Sequence, residues 1–343
     1  MEKMSKKERV LAAISGQALD RAPACFFNHH HHTERSVEPL VGRMMNEYWL
    51  YNWDFIKLMA RPSYYGEAWG CKYAWNPAEP NNSPALVEPL FKTPGDMAKM
   101  PVLAGDYGPF GDHLQAVTYV NEALRGEAFF IMSLFNPLSI ANRMIGAVFN
   151  SPDEAEPMKR FISQDPAAVH EGLSIITKTI VDYTRRIIRA GAAGVFMTST
   201  VWTHDHFSEE QYLEFGKPYD LMIYEAARQE GAVLNVQHIC RDNIMLKVFA
   251  DYPVEVISYE STNVRNPSLS QARSQVKQAL WSGVDQRVVL PEGSPADVQK
   301  QVRQALDDTG GRSIIIGPGC TANRHIPEEN LRAVVPAIKA WYA

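Results

Sequence analysis

The sequence predicts an α/β fold, a closed (β/α)8 TIM barrel with an N-terminal insertion, and three observations carry that prediction. Apolar strand candidates alternate with amphipathic helical stretches along the chain. The strand candidates read as apolar runs, as strands do when helices cover both faces of a parallel sheet. The length of 343 residues suits one barrel with insertions, which can run past about 250 residues as a single domain. A doubly wound sheet is the other α/β solution, but no Gly-x-Gly-x-x-Gly fingerprint or P-loop occurs to support it. Residues 1–343 are therefore read as one barrel domain, with an aromatic-rich insertion at about 61–100.

The elements follow in order. An opening helix precedes "APACFF" (22–27), the first strand. Residues 35–60 read as helical, and 61–100 are rich in Pro, Asn, Trp and Tyr, as a long insertion would be. "EAFFIMSLF" (127–135) is a strand ended by Asn136-Pro137, and a long helix from about Pro166 to Ala190 leads into the strand "AGVFMTST" (193–200). Residues 208–231 form a helix, with Ser208, Glu210 and Gln211 at its start and Gly231 at its stop. Strand 232–239, helix 242–251, strand 254–260, helix 268–279, strand 280–285, helix 295–308, strand 312–320 and helix 327–342 complete the chain.

Composition narrows the function classes. With 45% hydrophobic and 21% charged residues the chain reads as globular. A net charge of -5 without runs of like charge argues against nucleic acid or an anionic membrane as a partner. No stretch of about 18 apolar residues is present, so no membrane-spanning helix is expected. The start, "MEKMSKKERVLAAISG", has no long apolar region of the secretory kind, and a cytoplasmic protein is expected. Four cysteines in a chain of this size make no disulfide framework; metal or nucleophile roles suit them better.

In a barrel, chemistry sits where strands end and loops begin. His238 and Cys240 close the strand 232–239, and at i and i+2 their side chains point the same way. Cys320 closes the last strand in the context "GPGC", eighty residues on. Two thiolates and one imidazole suit Zn2+ with a fourth position open, the arrangement of catalytic rather than structural zinc. The alternative is that both cysteines are small buried hydrophobes and His238 a satisfied core histidine.

Several stretches carry a family resemblance. "ERVLAAISGQALDRAP", "WDFIKLMARPSYYGEAWG", "SLFNPLSIANRMIG", "FSEEQYLEFGKPYD" and the ending "GSPADVQKQVRQAL…GPGCTANRHIPEENLRAVVPAI" resemble, in order, the uroporphyrinogen decarboxylase superfamily. The resemblance spans nearly the whole chain and implies a (β/α)8 barrel. The decarboxylases of that superfamily carry an arginine-rich stretch near the first strand, where this chain has "FFNHHHHTERS" with only Arg35 nearby. The chain is more similar to the corrinoid-linked methyltransferase branch, such as methylcobamide:coenzyme M methyltransferases, in which a His-x-Cys pair and a distant Cys bind zinc. His238, Cys240 and Cys320 match that pattern. The resemblance implies a methyl group moved between methylcobalamin or another corrinoid, held by a separate corrinoid-binding protein, and a small molecule. That molecule is a thiol acceptor, or a methylated donor such as an aromatic methyl ether in an O-demethylase system. Arg241 stands where relatives tend to have glycine, which makes it a candidate substrate-binding residue. A metal-free decarboxylase and a non-catalytic corrinoid-protein partner are the alternative readings.

Other polar groups fall at strand ends. Glu260 and Asp285 directly end apolar strands and His206 follows the strand 193–200, so these three are the candidate acids or bases; loop solvation or capping is the competing role. His29 and His31 follow the first strand, Tyr65 lies in the aromatic-rich segment, and Trp202 follows the strand 193–200; these are candidate substrate contacts. Arg324 and His325 beyond Cys320 are candidates to hold a substrate anion.

Overall fold

Every strand that the apolar pattern marks has a parallel neighbour in the computed structural model, which describes residues 3–76, 78, 82–148, 151–322 and 325–343. The strands are β1 (Phe55–Leu58), β2 (Tyr73–Ala74), β3 (Ala85–Leu86), β4 (Phe129–Phe135), β5 (Gly194–Ser199), β6 (Val236–Ile239), β7 (Val256–Tyr259), β8 (Ala279–Val284) and β9 (Ile314–Pro318). Seven of them form one parallel sheet in the order β1-β4-β5-β6-β7-β8-β9, while β2 and β3 pair separately as a small antiparallel ribbon. Seven parallel strands curled in this order leave one gap, between β9 and β1.

Residues 22–27 fill it. Cys25 N–H donates to the Ile316 carbonyl at 3.1 Å, and Ile316 N–H donates to the Pro23 carbonyl at 2.9 Å. On the other side Asp54 N–H donates to the Ala24 carbonyl at 2.8 Å. The Asp54 carboxylate completes the closure by accepting from Ala24 N–H at 2.8 Å, where a strand neighbour would have offered a carbonyl. The sheet is thus closed into an eight-stranded barrel with the 22–27 segment as its first strand. Asp54 is fully buried, and two buried arginines, Arg9 and Arg21, pair with it at 2.7 Å each.

The barrel interior is filled by rings. Trp281 on β8 meets Phe27, Phe55 and Phe196 edge-on, with centroids 4.9 to 5.4 Å apart, and its indole N–H donates to the Cys25 carbonyl. Gly317 on β9 makes room for it, since a Cβ there would lie 2.0 Å from the indole nitrogen. This aromatic layer is the floor beneath the C-terminal end of the strands.

The structure departs from the sequence reading in four helical stretches. Residues 35–60 are not one helix: a helix over Val37–Leu50 stops at Asn52, which takes a left-handed φ of 55°, and β1 follows. The expected helix at 242–251 shrinks to a 3-10 turn, Leu246–Phe249, because Arg241 and Asn243 both adopt positive φ. The 268–279 helix starts at its Ser268/Gln271 capping box but ends at Arg273, leaving Ala279 free to open β8. The 208–231 helix is broken at Gly216, where the fully buried Trp202 packs so closely that a Cβ would lie 2.7 Å from its ring. Residues 61–100 hold a short helix, Tyr64–Ala68, the β2–β3 ribbon and a single turn, Pro94–Met97. Among the described residues, no helix is long and apolar enough to cross a membrane.

The closure at Asp54 makes a testable claim. Asp54→Ala leaves two buried guanidinium groups without their carboxylate, a change that costs about 3–5 kcal/mol when one partner of a buried ion pair is deleted. Urea denaturation of the variant is expected to show a loss of that size. A loss under about 1 kcal/mol, the scale of an exposed pair, would mean the first strand is held by other contacts.

Candidate metal centre at the barrel mouth

β6 sets His238 between Thr198 of β5 and Ser258 of β7. Cys240 lies one residue past the strand, but its N–H still bonds to the Ser199 carbonyl, so the two-residue alternation carries through it. Cys320 arrives two residues after β9. The Cys240 Sγ stands 3.3 Å from His238 Nε2 and 3.8 Å from Cys320 Sγ, and the three donor atoms all lie within 4.8 Å of one another. Zinc at about 2.3 Å from sulfur and 2.0–2.1 Å from nitrogen would hold tetrahedral sulfurs roughly 3.8 Å apart and a sulfur–nitrogen pair roughly 3.5 Å apart. The donor set and its spacing fit zinc.

The surroundings prepare these donors. His238 is buried and stacked on Phe196 at 5.0 Å, and its Nδ1 lies 3.1 Å from Ser258 Oγ. With Nδ1–H donating to that hydroxyl, Nε2 turns its lone pair toward the thiols, which is how histidine ligands are usually oriented. The two cysteines share a proton: the hydrogen bond to Cys320, aided by burial, pushes the Cys240 thiol well up. Accepting that bond, with His238 beside it, holds Cys320 well below the ordinary thiol range despite burial.

A cavity of about 410 Å³ opens over this cluster. Phe27, Phe135 and Phe196 supply apolar wall, and Tyr65 adds a phenol whose oxygen accepts from Phe135 N–H at 2.6 Å. Arg61, paired with Glu67, lines the cavity, as do two further cationic side chains. Lys57 on β1 is buried, with its ammonium over the rings of Phe27 and Phe196 at 4.3 and 4.4 Å and 2.9 Å from Met59 Sδ. Burial pushes its pKa down to about 8. The guanidinium of Arg143 lies 4.5 Å over the Phe135 ring. Neither was a sequence candidate. A lysine inside the apolar run "FIKL" was the available signal, hidden because that stretch read as helix.

His29 and His31 line the same cavity from the loop after the first strand. Their rings stack at 4.6 Å, and both face Glu34, which is 2% exposed. His29 Nδ1 is 2.9 Å from both Glu34 oxygens, and His30 N–H donates to Oε1 at 2.9 Å. Burial alone would raise the Glu34 carboxyl, but these bonds outweigh it and hold the group below the usual carboxylate range. Burial in turn pushes the His29 imidazole down, toward the neutral form.

The remaining candidates lie elsewhere. Glu260, 3% exposed, forms a two-pronged ion pair with Arg287 at 2.7 and 2.8 Å. Asp285 accepts from the backbone N–H groups of Arg287 and Val288, a turn-capping role. His206 borders a separate hollow with Asp205 and Arg241. Trp202 packs in the interior against Phe207 and Tyr212. Arg324 lies outside the described residues, and His325 is exposed.

Arg241 sits in a backbone conformation that favours glycine. Its φ of 77° is the left-handed conformation that glycine adopts without cost. The side chain compensates: Nε donates to the Thr200 carbonyl at 2.9 Å, and the guanidinium pairs with Glu154, which is 1% exposed.

Comparison with known proteins agrees with this architecture. The family model described as uroporphyrinogen decarboxylase (URO-D) matches residues 5–341. A methylcobamide:CoM methyltransferase of Methanosarcina barkeri is 21% identical over 357 residues, covering 100% of both chains. A uroporphyrinogen decarboxylase of Mannheimia succiniciproducens is 26% identical over 234 residues, 66% of this chain and 63% of that one. The solved structure of a methyltransferase from Methanosarcina mazei superposes with a TM-score of 0.83 at 19% identity, covering 99% of this chain and 100% of that one, a likeness of fold.

Two expectations follow from these pairings. Arg241→Gly relieves a strained φ worth about 1–3 kcal/mol but strands the buried Glu154 carboxylate, which costs about 3–5 kcal/mol. The single variant is therefore expected to be less stable, and Arg241→Gly with Glu154→Ala to recover most of the loss; no recovery in the double variant's thermal melt would refute the pairing. Lys57 titrates near 8 when folded and at an ordinary 10.5 when unfolded. The unfolded chain thus binds more protons between those values, and stability rises with pH across that window. In metal-free protein, Lys57→Met is expected to raise the unfolding free energy by on the order of 3 kcal/mol at pH 7, an advantage that fades above about pH 8 and vanishes past the ordinary lysine range. A gain independent of pH would show that packing, not charge burial, is what the substitution changes.

Proposed function

Since the chain belongs to the uroporphyrinogen decarboxylase (URO-D) family, we propose that it is a zinc-dependent methyltransferase, moving a methyl group between a corrinoid on a partner protein and a small molecule. The observation that carries this reading is the convergence of His238, Cys240 and Cys320, from two separate strand ends, at zinc-compatible spacing over one cavity. The small molecule is a thiol acceptor, or a methylated donor such as a methoxyarene. The relative from M. barkeri is named for transfer from methylcobamide to CoM, which supports the class of reaction.

Zinc held by these three residues would supply a Lewis acid, able to make a coordinated thiol acidic or to polarise an ether oxygen. The chain's own residues do the rest. Ser258 fixes the His238 ring, and the three phenylalanines exclude water from the reacting centre. Lys57 and Arg143 make the cavity electropositive, which favours a thiolate over a thiol and an anionic substrate over a neutral one.

The test pairs metal analysis with turnover. Cys240→Ala and Cys320→Ser are expected to abolish zinc binding and to lower methyl transfer between methylcobalamin and a panel of thiols and methoxyarenes by at least about 100-fold, while Ser258→Ala weakens zinc affinity by about 10–100-fold. If the purified protein holds far less than one zinc per chain and both cysteine variants keep full activity, the zinc-dependent reading fails. Turnover of uroporphyrinogen by the same variants would instead establish a metal-free decarboxylase.

A further inference from the structure

We propose that His29, His31 and Glu34 form a second metal site in the same cavity, one that takes a divalent first-row transition ion through two imidazoles and a carboxylate. The inference does not rest on the methyl-transfer reading, since it concerns donors from a different loop with different chemistry.

The spacing repeats that of the first site, in a different backbone setting. His238 lies within β6 with Cys240 just past it, whereas His29 and His31 lie in the loop and turn beyond the first strand, where their stacked rings, 4.6 Å apart, set both donors on one side at the barrel mouth. The donor atoms of His29, His31 and Glu34 all lie within 4.8 Å of one another. The Nδ1 atoms of His29 and His31 stand 2.9 and 3.2 Å from the Glu34 oxygens. Nitrogen and oxygen ligands at about 2.0–2.2 Å from one ion stand roughly 3 Å apart, which these separations match.

Two further observations point to a cation. His31 is 4% exposed, and its Nδ1 lies 3.2 Å from a Glu34 oxygen without the alignment of a hydrogen bond. An unpartnered buried ring nitrogen is costly unless something else takes its lone pair. Among the described residues, Glu34 has only these imidazoles as ion-pair partners; no lysine or arginine contacts it. The Lys57 ammonium acts on Glu34 without an ion pair between them, so a divalent ion would put positive charge in direct contact with the carboxylate. On binding, the Nδ1 proton that His29 donates to Glu34 in the metal-free protein moves through solvent to Nε2, so that each imidazole gives an Nδ1 lone pair to the metal.

The two sites differ in preference. His238, Cys240 and Cys320 are a soft set; two imidazoles and a carboxylate form the borderline set that leaves positions open on the ion. Since His29 and His31 line the substrate cavity, the second ion would offer an anchor for an oxygen of the substrate, opposite in character to the sulfur-rich site.

Cobalt(II) titration of chelator-stripped protein separates the two sites, because thiolate-to-cobalt charge transfer reports only the cysteine site while total bound metal counts both. The expected result is a second equivalent of cobalt per chain. Cys240→Ser with Cys320→Ser should lose the charge-transfer band yet keep one equivalent, and Glu34→Gln or His31→Asn should keep the band and lose one equivalent. Near-ultraviolet circular dichroism identifies a variant that fails to fold, and the remaining two then decide. A single equivalent with the charge-transfer band in the wild type, or unchanged stoichiometry in folded Glu34→Gln and His31→Asn, would overturn the proposal. A single equivalent without the band, lost in His31→Asn, would support it and sink the zinc reading of the cysteines instead.

Discussion

A barrel of parallel strands is stable only when it closes, and here one carboxylate does what a full strand ladder does elsewhere. The 22–27 segment pairs with β9 through ordinary backbone bonds, but toward β1 it relies on Asp54, whose backbone N–H and side chain grip both polar groups of Ala24. A buried carboxylate with that role needs compensating charge, and Arg9 and Arg21 provide it. Arg9 reaches on to Asp20, whose carboxyl that contact holds below the usual range even as burial pushes the other way. The opening helix is therefore not decoration on the barrel: it delivers the guanidinium that makes the closing carboxylate tolerable. Everything at the mouth depends on this, because Phe27, His29 and His31 ride on the strand that Asp54 fastens.

Closure also decides who can meet whom. Ala24 pairs with Ile316, so the loop after the first strand and the loop carrying Cys320 emerge side by side. The two His-containing pairs then face one cavity from different strands, with Lys57 of β1 entering between aromatic rings. Residues more than two hundred positions apart become neighbours through strand order alone. Local sequence chemistry supplies each donor, and topology supplies the constellation.

How much of this was legible follows from which signals are local. The strands that became β4 to β9 are apolar runs bounded by turn residues, and the structure matches them with small boundary shifts. His238, Cys240 and Cys320 stood out because a thiol or imidazole ending such a run has few structural reasons to be there. β1 was missed because "WDFIKL" continues an amphipathic aromatic helix without proline or glycine; the stop is Asn52, which takes the left-handed conformation that asparagine tolerates. Missing β1 hid Lys57, and Arg143 sits on a helix far from the motif, so no spacing rule could link it to the site. Glu260 and Asp285 end strands just as the metal donors do, yet partner Arg287 and backbone amides instead. Strand-end position marks what can reach the mouth; the loops determine what does.

The placement of charge at the mouth has its own logic. Lys57 and Arg143 are buried against aromatic faces, a setting that burial makes unfavourable for both cations. Stacking over a ring returns part of that cost, on the order of 1–2 kcal/mol at a desolvated site. Part of what remains is offset by negative charge within the cavity, and the thiols of Cys320 and Cys240 act on Lys57 in that direction. Filling the cysteine site with a divalent ion would cancel that negative charge and leave both cations seeking an anion. On the zinc reading, an anionic substrate entering the cavity would restore that balance, and metal loading and recognition of an anionic substrate would be coupled through the same two side chains.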